Sequence, residues 1–518
     1  MKRADVLIVG AGHNGLVAAV MLSRAGLDVH VIEERDRVGG AARTERPFAG
    51  APEVSHSTGA YLLGLMPPEL AHELDIELPL MRRDPHYFLP TTSSRYLLLG
   101  SDREAARRQF LEFFSEDDWR ADQALAAELA RLREDLGPSW LCEPLSIEET
   151  AERYVRPALR RVFVELCRGS IAEYLERFGF RSDLIKAMYA VTDGFTGLYG
   201  GWDSPGTGMN FLIHNMCRLP DSDGTWMIVR GGMGTVTGRL AEAARAAGAR
   251  IETGRRVADV EIREGVVRGV VLSDGESLSA KAVVFNADPF VMRDVVGRDK
   301  LPEAFVDRID DYARDGSTFK LNMCLSELPR FTCLPDDRGQ HRGTIHLLPD
   351  EDQVLPAIRE AFAAVEDGRL PEFPTIEWYI HTTVDPSLSD AKGRHSSALF
   401  VQWVPYELSG TTWEAEEQRF CERLLSICDR FAPGTSDRVV DTAPLSPPTI
   451  ERHFGMSRGH IHHVDNSYGF ADRLPYAAPV PGLYACGAGC HPGGSVIGAA
   501  GYNAARRVLA DFDVPRTS

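Results

Sequence analysis

A short apolar strand running into glycines spaced G-x-G-x-x-G constrains this chain more than any other feature. Val6-Leu7-Ile8-Val9 leads directly into Gly10-Ala11-Gly12-His13-Asn14-Gly15. Residues 15–25 carry apolar positions at helical spacing, and residues 27–32 read as a second buried strand that ends at Glu33. Strand, glycine turn, helix and strand together predict the βαβ unit of a dinucleotide-binding domain. Gly10 is expected to permit the turn, Gly12 to let the backbone approach a diphosphate, and Gly15 to let helix pack on strand. The helix N-terminus then offers free N–H groups and a positive dipole end to the phosphates. Glu33 stands about twenty residues on, where a ribose hydroxyl needs an acceptor.

The residues after Glu33 narrow the choice of dinucleotide. Arg35 lies two positions beyond the acid, then come the pair Gly39-Gly40 and Arg43-Thr44. That arrangement resembles the flavoprotein family that contains amine oxidases and carotenoid desaturases. The resemblance implies FAD lying extended along the domain, with Glu33 at the adenosine ribose. It implies Gly39, Gly40 and Arg43 beside the diphosphate and flavin, with Arg35 nearby. Arg37 reads as solvated surface charge.

Composition sets outer bounds. The chain has 518 residues, long enough for two or more domains with substantial cores. Lys and Arg number 57 against 75 Asp and Glu, a formal charge of −18, so no nucleic-acid partner is expected. No apolar run approaches the roughly twenty residues needed to span a bilayer. Met1-Lys2-Arg3 leads straight into the first strand, so no leader is expected. The nine cysteines have no C-x-x-C or zinc-like spacing, which predicts free thiols and a cytoplasmic setting.

The expected fold class is α/β, with a Rossmann-type FAD-binding domain interrupted by a mixed-sheet and helical substrate domain. A second stretch of nucleotide-domain character begins at Val229-Arg230-Gly231-Gly232-Met233-Gly234 and continues through a helix over 235–247. Strands succeed it at 250–253, 256–260, 266–272 and 277–284, the last two joined by the turn Ser273-Asp274-Gly275-Glu276. By the same resemblance Val257 meets the adenine. Residues 105–136 and 154–178 have helical periodicity, whereas 319–325, 376–380 and 399–404 alternate as strands do. A helix over 414–431 comes next. The expected FAD-binding domain therefore comprises 1–100, 225–310 and 450–518, with a helical cap at 101–224 and a sheet-based substrate domain at 311–449. Trp378, Tyr379, Phe400 and Trp403 are candidates for an apolar cavity, against the alternative of ordinary core aromatics.

The C-terminus carries a third motif. Leu483 to Gly489 reads as a short strand ending in glycines, and His491-Pro492-Gly493-Gly494-Ser495-Val496-Ile497-Gly498 enters a helix over 499–512. Small residues let backbone press on a planar ring, and the helix end stabilises an anionic reduced one. This stretch resembles the phytoene desaturase and carotenoid oxidoreductase-like family. It is similar above all to the branch that holds bacterial carotene ketolases and pyridine nucleotide-disulphide oxidoreductase domain-containing protein 2. Gly487, Val496 and Ile497 are carried over as flavin contacts on that resemblance, which spans nearly the whole chain. Relatives tend to have an aromatic where this chain has His462, and a small or basic residue at Tyr502.

His460, His462 and His463 cluster near Asp465. Read as strand residues, His460 and His462 could share a face that His463 could not join, and without a second ligand cluster no metal site is expected. His491, beside the flavin motif, is the first acid/base candidate, with Lys320 and His56 after it. Cys490 is a position from which a flavin could be held covalently. The resemblance implies hydride transfer to flavin N5 from an apolar, polyene-like or otherwise bulky small molecule, which is desaturated, oxidised or isomerised. An amine oxidase-like reaction on a polar substrate and a non-catalytic flavin-binding role remain the alternatives. With one complete dinucleotide fingerprint, oxygen or a quinone is expected to reoxidise the flavin, and peripheral membrane contact through 102–219 is left open.

Overall fold

The computed structural model describes residues 3–514, so Met1 and Lys2 of the expected leaderless start lie outside the described residues. Two seven-stranded sheets organise the chain. The first has the order 257–263, 266–272, 277–285, 4–9, 29–32, 250–252, with 483–485 pairing beside 277–285. Its central strands, Ala4–Val9, Val29–Ile32 and the second half of Ser277–Phe285, run parallel. They are almost wholly buried on both faces, as an apolar run without alternation requires. Helix His13–Arg24 packs on this sheet together with Gly234–Ala246 and Ala499–Asp511. The contact with the last helix is so close that a Cβ at Gly501 would strike the Asn14 carbonyl.

The second sheet has the order 439–445, 318–325, 395–402, 375–380, 344–347, 87–90, 96–99. Phe319, Leu321, Met323 and Leu325 face the helix Trp413–Phe431 and build one core with Phe420, Leu424 and Ile427. Their alternates, Lys320 and Asn322, lie on the opposite face. Cross-strand register brings Lys320 beside Phe400, and Phe400 beside Glu377.

Two expectations change here. Strands Tyr87–Pro90 and Tyr96–Leu99 belong to the second sheet, because Tyr87 and Phe88 pair with Thr344 and Ile345. The first nucleotide-domain segment thus gives way before residue 87, not at 100. The helical run expected over 105–136 is two helices, Arg103–Phe113 and Glu116–Leu136. Ser115 starts the second by accepting a hydrogen bond from the Asp118 N–H, 3.0 Å away. No helix among the described residues is long and apolar enough to cross a membrane.

Candidate active site

The glycine turn is built by close approach. Gly10 has φ +97°, and a Cβ there would lie 3.0 Å from the Asn286 carbonyl oxygen. At Gly15 a Cβ would run into the Gly10 carbonyl, so this glycine packs helix on strand and does not face the cavity. Gly12 precedes the helix starting at His13, and no side chain caps that helix end. Its first N–H groups therefore remain available to a ligand. The Glu33 carboxylate accepts from the Ala11 N–H (2.7 Å) and the Arg35 N–H (2.9 Å), bracing the turn. Gly39 donates to the Ala11 carbonyl at 2.9 Å, setting the Gly39–Gly40 turn against the first. Arg43 donates to the His453 carbonyl (3.2 Å), lies 3.2 Å from Glu45, and stacks over Phe454 at 5.0 Å.

A cavity of about 520 Å³ runs from this cradle to the inner face of the second sheet. At the cradle end it is lined by Gly10, Gly12, His13, Glu33, Arg35, Gly39, Gly40, Arg43, Val257 and Val496. Gly487 stands just behind the wall, where a Cβ would strike the Ala287 carbonyl. Ile497 instead packs into the core of the helical region, because the chain turns away from the cavity after Val496.

The inner end is polar. Lys320 donates to the Gly59 carbonyl at 2.8 Å, and its Nζ lies 4.1 Å from the ring centroids of both Tyr61 and Phe400. Burial pulls its ammonium down to about 7, against the opposing pull of Glu377. Burial pushes Glu377 up to about 8, even though Tyr379 and Thr196 hydroxyls donate to it; Asp193 adds to the rise and Lys320 opposes it. Asp193 sits in a π-helical turn, Ala190–Gly194, and burial raises it to about 7 against a hydrogen bond from Asn215. Thr192, Asp193, Thr196, Lys320, Glu377, Tyr379 and Phe400 all line this end.

The other acid/base candidates lie elsewhere. His491 is buried with Nε2 3.0 Å from the Ser139 carbonyl and its ring edge-on to Phe470, so it does not reach the cavity. His56 lies between Ser396 Oγ (2.6 Å) and Asn322 Oδ1 (2.9 Å), also off the cavity. Burial lowers both imidazoles to about 4. Among the aromatic candidates, Tyr379 and Phe400 line the cavity, whereas Trp378 faces the helix-side core and Trp403 packs against Phe195 and Phe362. Residues 460–463 form a turn, with His463 at φ +62°, so the opposite-face argument drawn from a strand does not apply. Both His462 and His463 reach the cavity. No group of three or more His, Cys, Asp or Glu suited to a metal ion occurs among the described residues. Cys490 is buried, with its thiol pushed up to about 12, and does not line the cavity.

Glu377, Asp193, Tyr61 and His13 were not singled out by sequence. Glu377 had a signal: it is the lone charged residue of a strand otherwise made of β-branched and aromatic residues, Thr375–Ile380.

The cavity residues suit a flavin dinucleotide. Glycines crowd the backbone where a Cβ would obstruct, a helix end is uncapped, and His13 Nε2, Asn14 Oδ1, His462 Nδ1 and His463 Nδ1 are buried without partners. The family described as flavin containing amine oxidoreductase matches residues 15–345. Mouse pyridine nucleotide-disulfide oxidoreductase domain-containing protein 2 is 34% identical, the alignment covering 98% of this chain and 94% of the mouse protein. Hydroxyneurosporene desaturase of Cereibacter sphaeroides is 26% identical over 98% of each chain. A putrescine oxidase structure superposes with a TM-score of 0.62 at 18% identity, covering 99% of this chain and 100% of that one, which establishes the shared fold. The chain belongs to the flavin-containing amine oxidoreductase family, in its phytoene desaturase-like branch. It is an FAD-dependent oxidoreductase.

Proposed function

We propose that this enzyme dehydrogenates a bulky, largely apolar small molecule that carries one polar group at its oxidised end. The observation that carries this reading is the buried cluster of Lys320, Glu377, Tyr379 and Asp193 at the inner end of the cavity, set among Tyr61, Leu62, Trp226 and Phe400. Gly59, Thr196 and Asn215 already engage these groups in part. A substrate hydroxyl, carbonyl or amine would use their remaining hydrogen-bonding capacity, worth about 1 kcal/mol per bond, and a pure hydrocarbon would use none of it.

Bound FAD supplies a two-electron acceptor, held by Gly10, Gly12, Glu33, Gly39, Gly40, Arg43, Val257 and Val496. The chain's own groups manage protons. Lys320, titrating near 7, can take a proton at Nζ from a substrate O–H or N–H at working pH. Glu377, titrating near 8, keeps its proton at neutral pH and donates it as a hydrogen bond. Tyr379 and Thr196 fix its two oxygens. The aromatic walls exclude water from these groups.

The amine oxidase-like reading gains less support. An aromatic cage does face the cavity, but the Lys320 side chain already packs its Nζ on the faces of Tyr61 and Phe400 and so competes with a substrate ammonium for them. Oxygen or a quinone is proposed as the electron acceptor. The second glycine group has no free helix end: Ser57 and Thr44 hydroxyls accept from Met233 N–H (2.9 Å) and Gly234 N–H (3.0 Å). Flavin bleaching under anaerobic conditions tests the reading with three size-matched probes: a terpenoid alcohol, a polyene hydrocarbon and a primary amine. Bleaching by the alcohol is expected. Bleaching by the hydrocarbon or the amine alone would overturn it.

A further inference from the structure

Two histidines of the cofactor cradle lie apart from the proton-handling groups at the inner end. His13 opens the helix after the glycine turn, and His463 reaches the same cavity from the turn at 460–463. Each has a buried ring nitrogen without a partner, Nε2 on His13 and Nδ1 on His463. His463 lies close enough to His13 to disfavour its charge. The two rings stand where the uncapped start of helix His13–Arg24 meets the cavity. We propose that His13 and His463 form a proton-accepting clamp for the FAD diphosphate, so that loading the cofactor takes up a proton. Loading of this kind does not depend on the identity of the substrate.

The electrostatic setting supports it. Burial, and after it the neighbouring His463, lowers His13 to about 4, against a backbone contact with Ser495. Burial likewise lowers His463; Asp288 opposes this, while His460 and Arg473 reinforce it. The Asp288 carboxylate is already engaged by the N–H groups of Val291 (2.9 Å) and Ser457 (2.8 Å) and by the Ser457 hydroxyl (3.0 Å). Glu33 is engaged by backbone N–H groups in the same way. Burial outweighs the pull of Asp288 on His463, so both rings are neutral in the FAD-free cradle at neutral pH. A diphosphate arriving beside them supplies the missing negative charge and an acceptor for each orphaned nitrogen. The protonated form is favoured only when the ligand is present, which is the condition for proton uptake on binding.

Linkage sets the sign. The imidazoles titrate low when empty and higher when the diphosphate is bound, so uptake is confined to the window between the two values. Within that window affinity falls as pH rises, by up to about tenfold per pH unit for one proton. Above the bound-state value the affinity levels off.

The test uses the full-length protein freed of FAD by bromide dialysis. Calorimetric titration with FAD in buffers of differing ionisation heat counts protons, and flavin fluorescence gives the dissociation constant at each pH. Riboflavin, which lacks the diphosphate, is the control ligand. FAD is expected to bind with uptake of up to one proton and a dissociation constant that rises as pH climbs above about 4, the FAD-free value of His13, before it levels off. Riboflavin is expected to bind with none. His13→Gln and His463→Asn should each reduce the uptake and flatten the pH profile; asparagine also tolerates the positive φ of position 463. Should one variant fail to fold, the other carries the test. Uptake absent for FAD, equal for riboflavin, or unchanged in the folded variants would overturn the clamp.

Discussion

Replacing Lys320 by methionine separates a functional lysine from a structural one. In the folded chain burial brings its ammonium from 10.5 to about 7, and each tenfold change in proton affinity is about 1.4 kcal/mol. At pH 7 the buried amine therefore costs the fold roughly 4–5 kcal/mol. The hydrogen bond to Gly59 returns about 1–1.5 kcal/mol, and the two ring faces return about 0.5–2 kcal/mol each. Methionine keeps the apolar stem against Tyr61 and Phe400 and carries no charge to bury. Lys320→Met is thus expected to be as stable as the parent, or more stable by up to about 3 kcal/mol, at pH 7. Because the folded value lies below the unfolded one, the parent's penalty is complete below about pH 7. It is relieved as pH rises towards 10.5, so the gap between the proteins should close over that window. Flavin reduction in the variant should slow by about 10²–10⁴-fold, the usual worth of a positioned acid or base. Urea unfolding monitored by tryptophan fluorescence at pH 7, 8 and 9, with FAD saturating, measures the first quantity, and anaerobic stopped flow the second. A loss of more than about 2 kcal/mol with normal flavin reduction would show that Lys320 simply ties its strand to Gly59, and would refute the catalytic role.

Glu33→Ala should strip the Ala11 N–H of its acceptor, destabilising the FAD-free protein by about 1–3 kcal/mol as well as weakening FAD retention; unchanged stability by urea unfolding would contradict the bracing role. Gly15→Ala should give a colourless or unfolded product, since the new Cβ meets the Gly10 carbonyl, and a yellow, normally stable variant would discount that contact. His491→Asn should leave the pH dependence of flavin reduction unaltered, because the ring faces Ser139 and not the cavity; a lost or displaced pH limb would return His491 to the chemistry. NADH and NADPH should reduce the enzyme poorly while oxygen or a quinone reoxidises it, and fast saturable reduction by either nicotinamide would reveal a nucleotide site besides the cradle.

The sequence by itself determined the local parts. A glycine turn, an uncapped helix start and an acid at a set distance are dictated by short-range sterics and hydrogen bonding, so Gly10, Gly12, Gly15 and Glu33 were legible without a fold. Alternation along 319–325 likewise placed Lys320 and Asn322 opposite the apolar face. Only the tertiary structure decided which polar groups share a cavity. Glu377 meets Lys320 because register puts Phe400 beside both, and Asp193 joins them from a π-helical turn more than a hundred residues away in the chain. Proximity to the flavin motif in sequence misdirected the choice of His491, since a turn of the chain after Gly489 buries it against Ser139. The membership of residues 87–99 in the second sheet rests on pairing with 344–347, a contact no local pattern encodes. Desolvation depends on everything packed around a group, and so the near-neutral titration of Lys320, Glu377 and Asp193 exists only once the two sheets and the helical region enclose them.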